Sequence, residues 1–383
     1  MKSRNLCCSI GIVSFFLGLF TLPFTGTYTN AAEKPIVIGA PLATAFLYGW
    51  DAEKGIKLAV EEINAQGGVA VGKEKRPFKV EAMDTRDLEP GVPVSDALLV
   101  VEKLILEKNA DFLIGGPVRS EAALAAMDLL SKYKKVSILT TGALTPAYHK
   151  RVEAEYNKFK YCFRISGEVG WMVVGEFIPC LMEIKAKHNL NRLFIMIQDV
   201  AHARGGGDLV EKMSKERGWE VLGKEVFPTG TTDYSMGLLK AKKENAQVIL
   251  IWMDMPETSI LLKQWYDMKV PAIPYGTIIS AAEEPKFWKA TEGKGEYCMA
   301  SVVNAGNTPS KATPWTMKFV EAYTKKWNVE PEGYGTSSSY MAVYTLKDAI
   351  ERAGTLNSDA VVTALEKTDL MGVYGRVRAV SAE

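Results

Sequence analysis

The residues best suited to hold a small molecule fall in three short segments: Phe46-Leu47-Tyr48-Gly49-Trp50, Gly116-Pro117-Val118-Arg119-Ser120, and Thr140-Thr141-Gly142-Ala143-Leu144-Thr145-Pro146. Each follows an apolar, strand-like run and precedes a helical stretch. In doubly wound α/β proteins ligands sit outside the carboxyl ends of the strands, so these are the informative positions. Glycine and other small residues let backbone N–H groups approach an anion, and the positive end of the following helix reinforces them. A carboxylate suits such an arrangement. Arg119 is the sharpest single candidate, because a guanidinium can grip a carboxylate through two parallel N–H bonds. Each feature also has a plainer reading: Ser120 and Thr145 as helix caps, Gly115 and Gly116 as turn residues, the aromatics as core, Arg119 as a solvated cation.

Enzyme chemistry finds little support. His149, His188 and His202 are the only histidines and have no metal-ligand spacing, and no HExxH, GxSxG or GxxxxGK[ST] string occurs. Arg204-Gly205-Gly206-Gly207-Asp208 follows a strand and opens a helix, as a dinucleotide loop would, but it lacks the GxGxxG spacing and reads rather as a turn. Acidic residues are plentiful, yet nothing pairs two of them for acid and base work. Neither a metal nor a cofactor is called for.

The elements that must position these segments repeat along the chain as an apolar run, a polar or glycine-containing loop and an amphipathic stretch. That alternation predicts parallel sheets covered by helices. Pro35 to Ala40 reads as the first strand and Asp51 to Ala65 as its helix, stopped at Gly67 and Gly68. Further strands are expected at 78–83, 111–115, 136–140, 161–165, 193–198, 220–227, 247–253, 272–275 and 297–303. About ten strands exceed one comfortable sheet, so two lobes are expected. Near the end, 312–327, 336–353 and 358–367 read as successive helices packing on sheets already built.

A chain of 383 residues, 47% hydrophobic and 24% charged, is large enough for two cores and globular in composition. Met1-Lys2-Ser3-Arg4, the apolar stretch Leu6 to Phe24 and the small residues before Ala31 form a secretory signal peptide over residues 1–31. Of 46 basic side chains, Lys2 and Arg4 leave with it, so 44 face 45 acidic ones. A near-neutral chain with no basic stripe excludes nucleic acid as an expected partner. No later apolar run reaches the roughly 18 residues of a membrane span. The mature chain retains Cys162, Cys180 and Cys298, an odd number, with Cys162 and Cys298 in apolar runs that suit buried free thiols.

In order and spacing, PIVIGAPLATAFLYGWDAEKGIKLAVEEINAQGG, VEAMDTRDLEP, FLIGGPVRS, ILTTGALTP, FRISGEVG and PTGTTDYSMGLLKAKKENAQVIL resemble the leucine/isoleucine/valine-binding proteins of bacterial ABC importers across nearly the whole mature chain. The resemblance implies the type I periplasmic-binding fold: two three-layer α/β/α lobes joined by three crossovers, with the ligand in the central cleft. It assigns residues 32–163 and 302–368 to lobe 1, and 164–301 and 369–383 to lobe 2. Such chains usually continue beyond a segment like Leu370 to Val380, so either the second lobe is trimmed or the sequence is truncated. Contact positions carried over are Tyr48, Val118, Arg119, Ser120, Gly142, Ala143 and Leu144 on the first lobe, and Arg204, Asp254 and Thr277 on the second. Trp50 and Trp171, with Phe46 and Trp252, are candidate flat apolar walls. Arg119, Leu144 and Ile278 depart from the residues common in amino-acid binders, so an organic or aromatic acid without an ammonium group competes with an amino acid as ligand.

Taken together, the resemblance and the residue patterns lead to a periplasmic monomer that captures its ligand by hinge closure and hands it to membrane permease subunits of an ABC importer. The alternative is a ligand-sensing module of an amide- or amino-acid-responsive receptor system, since the same fold serves both.

Overall fold

Ile36–Leu42 alternates nothing: all but one of its seven residues are buried, as befits a strand covered on both faces. The computed structural model describes residues 34–253, 258–278, 287–300, 309–333 and 335–379. The expected leader over residues 1–31 lies outside them.

From β1 (Ile36–Leu42) the chain runs through α1 (Leu47–Ala65), a hairpin of β2 (Val69–Val71) and β3 (Glu74–Arg76), β4 (Phe78–Asp84) and α2 (Val94–Leu106). Then come β5 (Phe112–Gly115), α3 (Ser120–Tyr133), β6 (Ser137–Leu139), α4 (Ala147–Ala154), α5 (Tyr156–Phe159) and β7 (Cys162–Arg164). The second half holds α6 (Val169–Met172), a π-helical turn over Val173–Phe177, α7 (Ile178–His188), β8 (Arg192–Gln198), α8 (Ala201–Glu216) and β9 (Glu220–Phe227). It continues with α9 (Ser235–Lys243), β10 (Val248–Met253), α10 (Thr258–Asp267), β11 (Ile273–Ile278), α11 (Phe287–Ala290) and β12 (Met299–Ala300). Three helices come next, α12 (Thr316–Trp327), α13 (Gly335–Ala353) and α14 (Ser358–Leu365), and then a hairpin of β13 (Asp369–Gly372) and β14 (Gly375–Arg378).

Two parallel sheets result, ordered β4-β1-β5-β6-β7 and β12-β11-β10-β8-β9. In each, the first strand of the set has its immediate successor on one side and the next on the other. The crevices between β1 and β5 and between β8 and β10 are therefore topological switch points, where connecting helices part and leave room for a ligand. On the first sheet, one core joins β1 and β5 to α1, α12, α13 and α14, and another lies under α2 and α3. The second sheet packs α7 and α8 on one face and α9 and α10 on the other. Burying a Val, Ile or Leu side chain contributes about 1.5–3 kcal/mol, so each layer is held by many such residues.

Helix α1 begins four residues before its expected start. Gly49 and Trp50 donate backbone N–H bonds to the Phe46 carbonyl, closing the first turn there, so Leu47 to Trp50 are helical rather than loop. The Arg204 to Asp208 string likewise lies inside α8, not in a turn. A Cβ on Gly206 would come within 2.2 Å of the Trp252 ring and one on Gly207 within 3.0 Å of Ile197. These glycines let a helix approach the sheet closely. Trp252 is fully buried beneath α8, edge-on to Phe177 at 4.8 Å, and is core rather than pocket wall.

Asp51 on α1 is buried and ties that helix to the chain before α13. It accepts bonds from the Tyr323 and Thr336 hydroxyls and from the N–H groups of Glu332 and Gly333. Burial raises its pKa and these donors oppose the shift.

The expected grouping of 369–383 with the second lobe is corrected for the described part. The β13–β14 hairpin packs on the first sheet's core through Leu370, Val373, Tyr374 and Val377, and the Thr316 hydroxyl donates to the Val373 carbonyl at 2.5 Å. Apolar surface on α12 and α13 is nearby in sequence, so a short hairpin buries its face there. Among the described residues the chain thus passes between the sheets twice, after β7 and after β12, and the third passage expected at 368–369 is not made there.

Candidate functional site

The first switch point is built by three strand-end segments held by two aspartates. At the end of β4, Asp84 Oδ1 accepts the N–H groups of Thr44 at 3.0 Å and Arg86 at 3.1 Å, fixing the loop after β1. Asp87, which is buried, accepts the Thr85 hydroxyl at 2.6 Å and the Arg119 N–H at 2.7 Å, fixing the turn after β5. Burial raises the Asp87 pKa, and the Thr85 hydroxyl and the backbone donors of Arg119 and Val118 oppose it. That turn contains the cis Gly116–Pro117 bond, and Gly116 donates to the Pro41 carbonyl at 2.9 Å.

The loop after β6 closes over this turn. Ala143 donates its N–H to the Val118 carbonyl at 2.7 Å. Gly142 and Ala143 are consecutive left-handed residues, with φ of 67° and 49°. A Cβ on Gly142 would lie 2.0 Å from the Val118 oxygen, so only glycine fits. Thr140 shares a 2.6 Å hydroxyl bond with Ser339 on α13, and Thr141 lies against Gly335 at the start of that helix. Thr140 therefore anchors the loop by a hydrogen bond, while the buried Thr141 hydroxyl has no hydrogen-bond partner among the described residues.

Among the sequence-derived candidates, Tyr48 and Val118 meet in one small buried cluster with Ala43 and Leu88. Ala143 adjoins it through its bond to Val118, Gly142 through its close approach to the Val118 oxygen, and Ser120 follows Val118 by two residues. Ser120 opens the 14-residue α3 and is 1% exposed, and its hydroxyl has no hydrogen-bond partner among the described residues. Arg119 contributes through its backbone. Its guanidinium turns aside, 3.5 Å from Glu121 and 3.4 Å from the Val92 carbonyl, because the residue caps α3 in extended conformation. Leu144 does not open onto the crevice: it is 1% exposed and belongs to the second sheet's core beside Val169, Met172 and Val173. Trp50 lies apart, its ring 4.3 Å from the Lys54 ammonium, which also reaches Trp327 on α12.

At the second switch point the Gln198 side chain donates to the Thr229 hydroxyl at 2.8 Å, bridging the ends of β8 and β9. Arg204 sits exposed on the first turn of α8, paired with Asp199. Trp171, on α6, is 75% exposed. Helix α3 from the first sheet and α8 from the second approach each other. Asp254 falls outside the described residues, and Thr277 lies in the backbone of β11.

Sequence reasoning missed Asp84, Asp87 and Arg164. The two acids stand in VEAMDTRDLEP immediately after a strand, where an acidic side chain commonly caps neighbouring N–H groups, and that was the available signal. Arg164 stands in FRISGEVG, but nothing in that string shows that its side chain reaches back to the carbonyls of the loop after β6. It donates to the Ala143 carbonyl at 2.6 Å, the Thr145 carbonyl at 3.0 Å and His149 Nδ1 at 3.2 Å. Burial, then this cation, holds His149 down at about 4, so the ring is neutral at pH 7. Among the described residues no group of three or more His, Cys, Asp or Glu side chains converges as a metal site would. Likewise no helix there is long and apolar enough to cross a membrane.

The sequence pattern of the family described as periplasmic binding protein matches residues 41–382. The Leu/Ile/Val-binding protein BraC3 of Rhizobium johnstonii is 28% identical over 352 residues, covering 90% of this chain and 87% of the relative. Among solved structures, the substrate binding protein LivJ of Streptococcus pneumoniae, in complex with isoleucine, superposes with a TM-score of 0.75 at 21% identity, over 91% of this chain and 93% of that one. A solute binding protein of an ABC transporter from R. palustris, in complex with benzoate, gives 0.72 at 14% identity, over 91% and 90%. These structural likenesses establish a shared two-sheet fold.

Proposed function

The chain belongs to the periplasmic binding protein family, and from that membership we propose that it is the exported substrate-binding component of an ABC uptake system, closing on a small carboxylate-bearing ligand. Residues 1–31 are its cleaved leader, the periplasm its compartment, and membrane permease subunits its protein partner. The observation that carries the reading is Ser120: a buried hydroxyl without a partner among the described residues, at the positive end of a helix, at the β1/β5 switch point. A buried polar atom left unmatched costs free energy that a ligand oxygen would recover. The carboxylate accepts from Ser120 and from N–H groups at the start of α3. Tyr48 and Val118 border it, and Gly142 and Ala143 shape the edge of its seat. Asp254, Thr277, Arg204 and Trp171 supply the second lobe's contacts on closure.

The relatives support a carboxylate without fixing the rest of the ligand, since one solved neighbour holds isoleucine and another benzoate. Because the anion seat is made of a hydroxyl and backbone dipoles, the proposed recognition starts from the acid group and is indifferent to an ammonium on the first lobe. Mass spectrometry of small molecules released on denaturing the purified protein tests this, followed by calorimetry with isoleucine and benzoate. The expected result is a carboxylate whose affinity falls about tenfold or more in Ser120→Ala, the usual worth of a hydrogen bond to a charged group. A ligand without an acid group, or binding unchanged in that variant, would reject the reading.

A further inference from the structure

The loop that borders the proposed seat has a second attachment. Each carbonyl from 142 to 145 accepts a hydrogen bond from residues 164–169, the end of β7, the first passage between the sheets and the start of α6. The Ser166 hydroxyl donates to Gly142 at 3.2 Å, Arg164 to Ala143 and Thr145, and the Val169 N–H to Leu144 at 2.9 Å. The opposite edge of the same loop is held by Val118, two residues before Ser120. The passage itself is short. Ile165 still donates to Leu139 in the first sheet, and Glu168 already caps α6 by accepting the Gly170 N–H at 2.9 Å. Only Ser166 and Gly167 lie between these two anchors, and a hinge needs no more than a few such residues.

Leu144 completes the attachment. Its backbone belongs to the first sheet's loop, while its side chain is buried in the second sheet's core with Val169, Met172 and Val173. A knob from one body set in the core of the other cannot stay put if the bodies rotate independently, because packed interiors do not deform continuously.

We propose that loop 142–145 is the coupling element between the ligand seat and lobe rotation, with Leu144 as the pivot knob and Arg164 as the strap that holds the loop to the hinge. Both are positioning residues. The inference rests on the two-lobe closure proposed above and adds how closure is tied to the seat. Displacing the turn at Val118 moves Ala143, and through Leu144 and Arg164 it moves the start of α6 and the π-helical turn beyond it.

Hydrogen–deuterium exchange on the ligand-free mature protein tests this without knowledge of the ligand. In Leu144→Ala, exchange over 169–177 is expected to rise at least tenfold, while β1 and β10 keep wild-type protection. Leu144→Met, similar in volume, should stay near wild type. Arg164→Gln should raise exchange over both 142–145 and 166–169. Unchanged exchange over 169–177 in Leu144→Ala would overturn the proposal. So would an equal rise across both sheets, which reports general destabilisation. Ser166→Ala, which removes one anchor and no packing, keeps the test available if Arg164→Gln does not fold: a local rise at 142–145 supports the coupling, and none rejects it. Because no ligand is present, failure here leaves the carboxylate reading to its own experiment.

Discussion

At Gly142 a single added carbon meets a backbone oxygen that cannot move without disturbing the turn it belongs to. Gly142→Ala is expected to lower stability by about 1–3 kcal/mol, from left-handed strain and overpacking together, and to abolish ligand binding. Thermal denaturation and calorimetry read the two effects, and a variant that melts and binds like the wild type would contradict the loop geometry. The conformation of Gly142 was not legible in the string TTGALT, because the constraint comes from Val118 in another loop. Arg119 makes the same point in reverse. Its type suggested a guanidinium clamp, yet its place at the cap of α3 commits its N–H to Asp87 and turns its side chain toward Glu121.

Within one helix, α8 offers a contrast between neighbouring glycines. A Cβ at Gly205 meets nothing within 4 Å, whereas one at Gly206 strikes the Trp252 ring. Gly205→Ala should therefore stabilise the protein by about 0.5–1 kcal/mol through helix propensity and unfolded-state entropy. Gly206→Ala should destabilise it by about 1–3 kcal/mol through overpacking. Urea titration of both variants decides the matter, and the same sign for both would refute the packing of α8 on β10. The run of glycines looked like a turn because glycine breaks helices in isolation. Tertiary packing reversed that preference, since a bulkier residue at 206 could not let the helix settle. The strands were easier to read: 78–84, 192–198, 220–227 and 248–253 lie within a residue of their expected bounds, the central pair 192–198 and 248–253 because buried parallel strands are largely apolar, the edge pair because apolar and polar residues mix in short runs bounded by turns.

For the molecule as a whole, Cys162, Cys180 and Cys298 are all free thiols. Burial pushes the Cys162 thiol up to about 12. With a folded value above the usual 9.0, the folded state keeps a proton that the unfolded state loses. That contribution is complete below pH 9 and is lost as pH rises toward 12, by at most about 1.4 kcal/mol per pH unit. Cys162→Val should flatten this part of the alkaline stability profile. In the wild type at pH 8, iodoacetamide should label Cys162 only at the rate of opening. Prompt labelling of Cys162 in the native protein would disprove its burial.

The sequence alone determined the two-sheet α/β architecture, the strand-end segments from which the site is proposed and the lack of enzyme motifs, because periodicity and local motifs are properties of neighbouring residues. Only the tertiary structure decided which of those residues share a wall. It gave Leu144 to the far core, turned Arg119 aside, laid Trp252 under a helix and set the final hairpin on the first sheet. These outcomes depend largely on contacts between segments tens to hundreds of residues apart, where the local pattern has nothing to say.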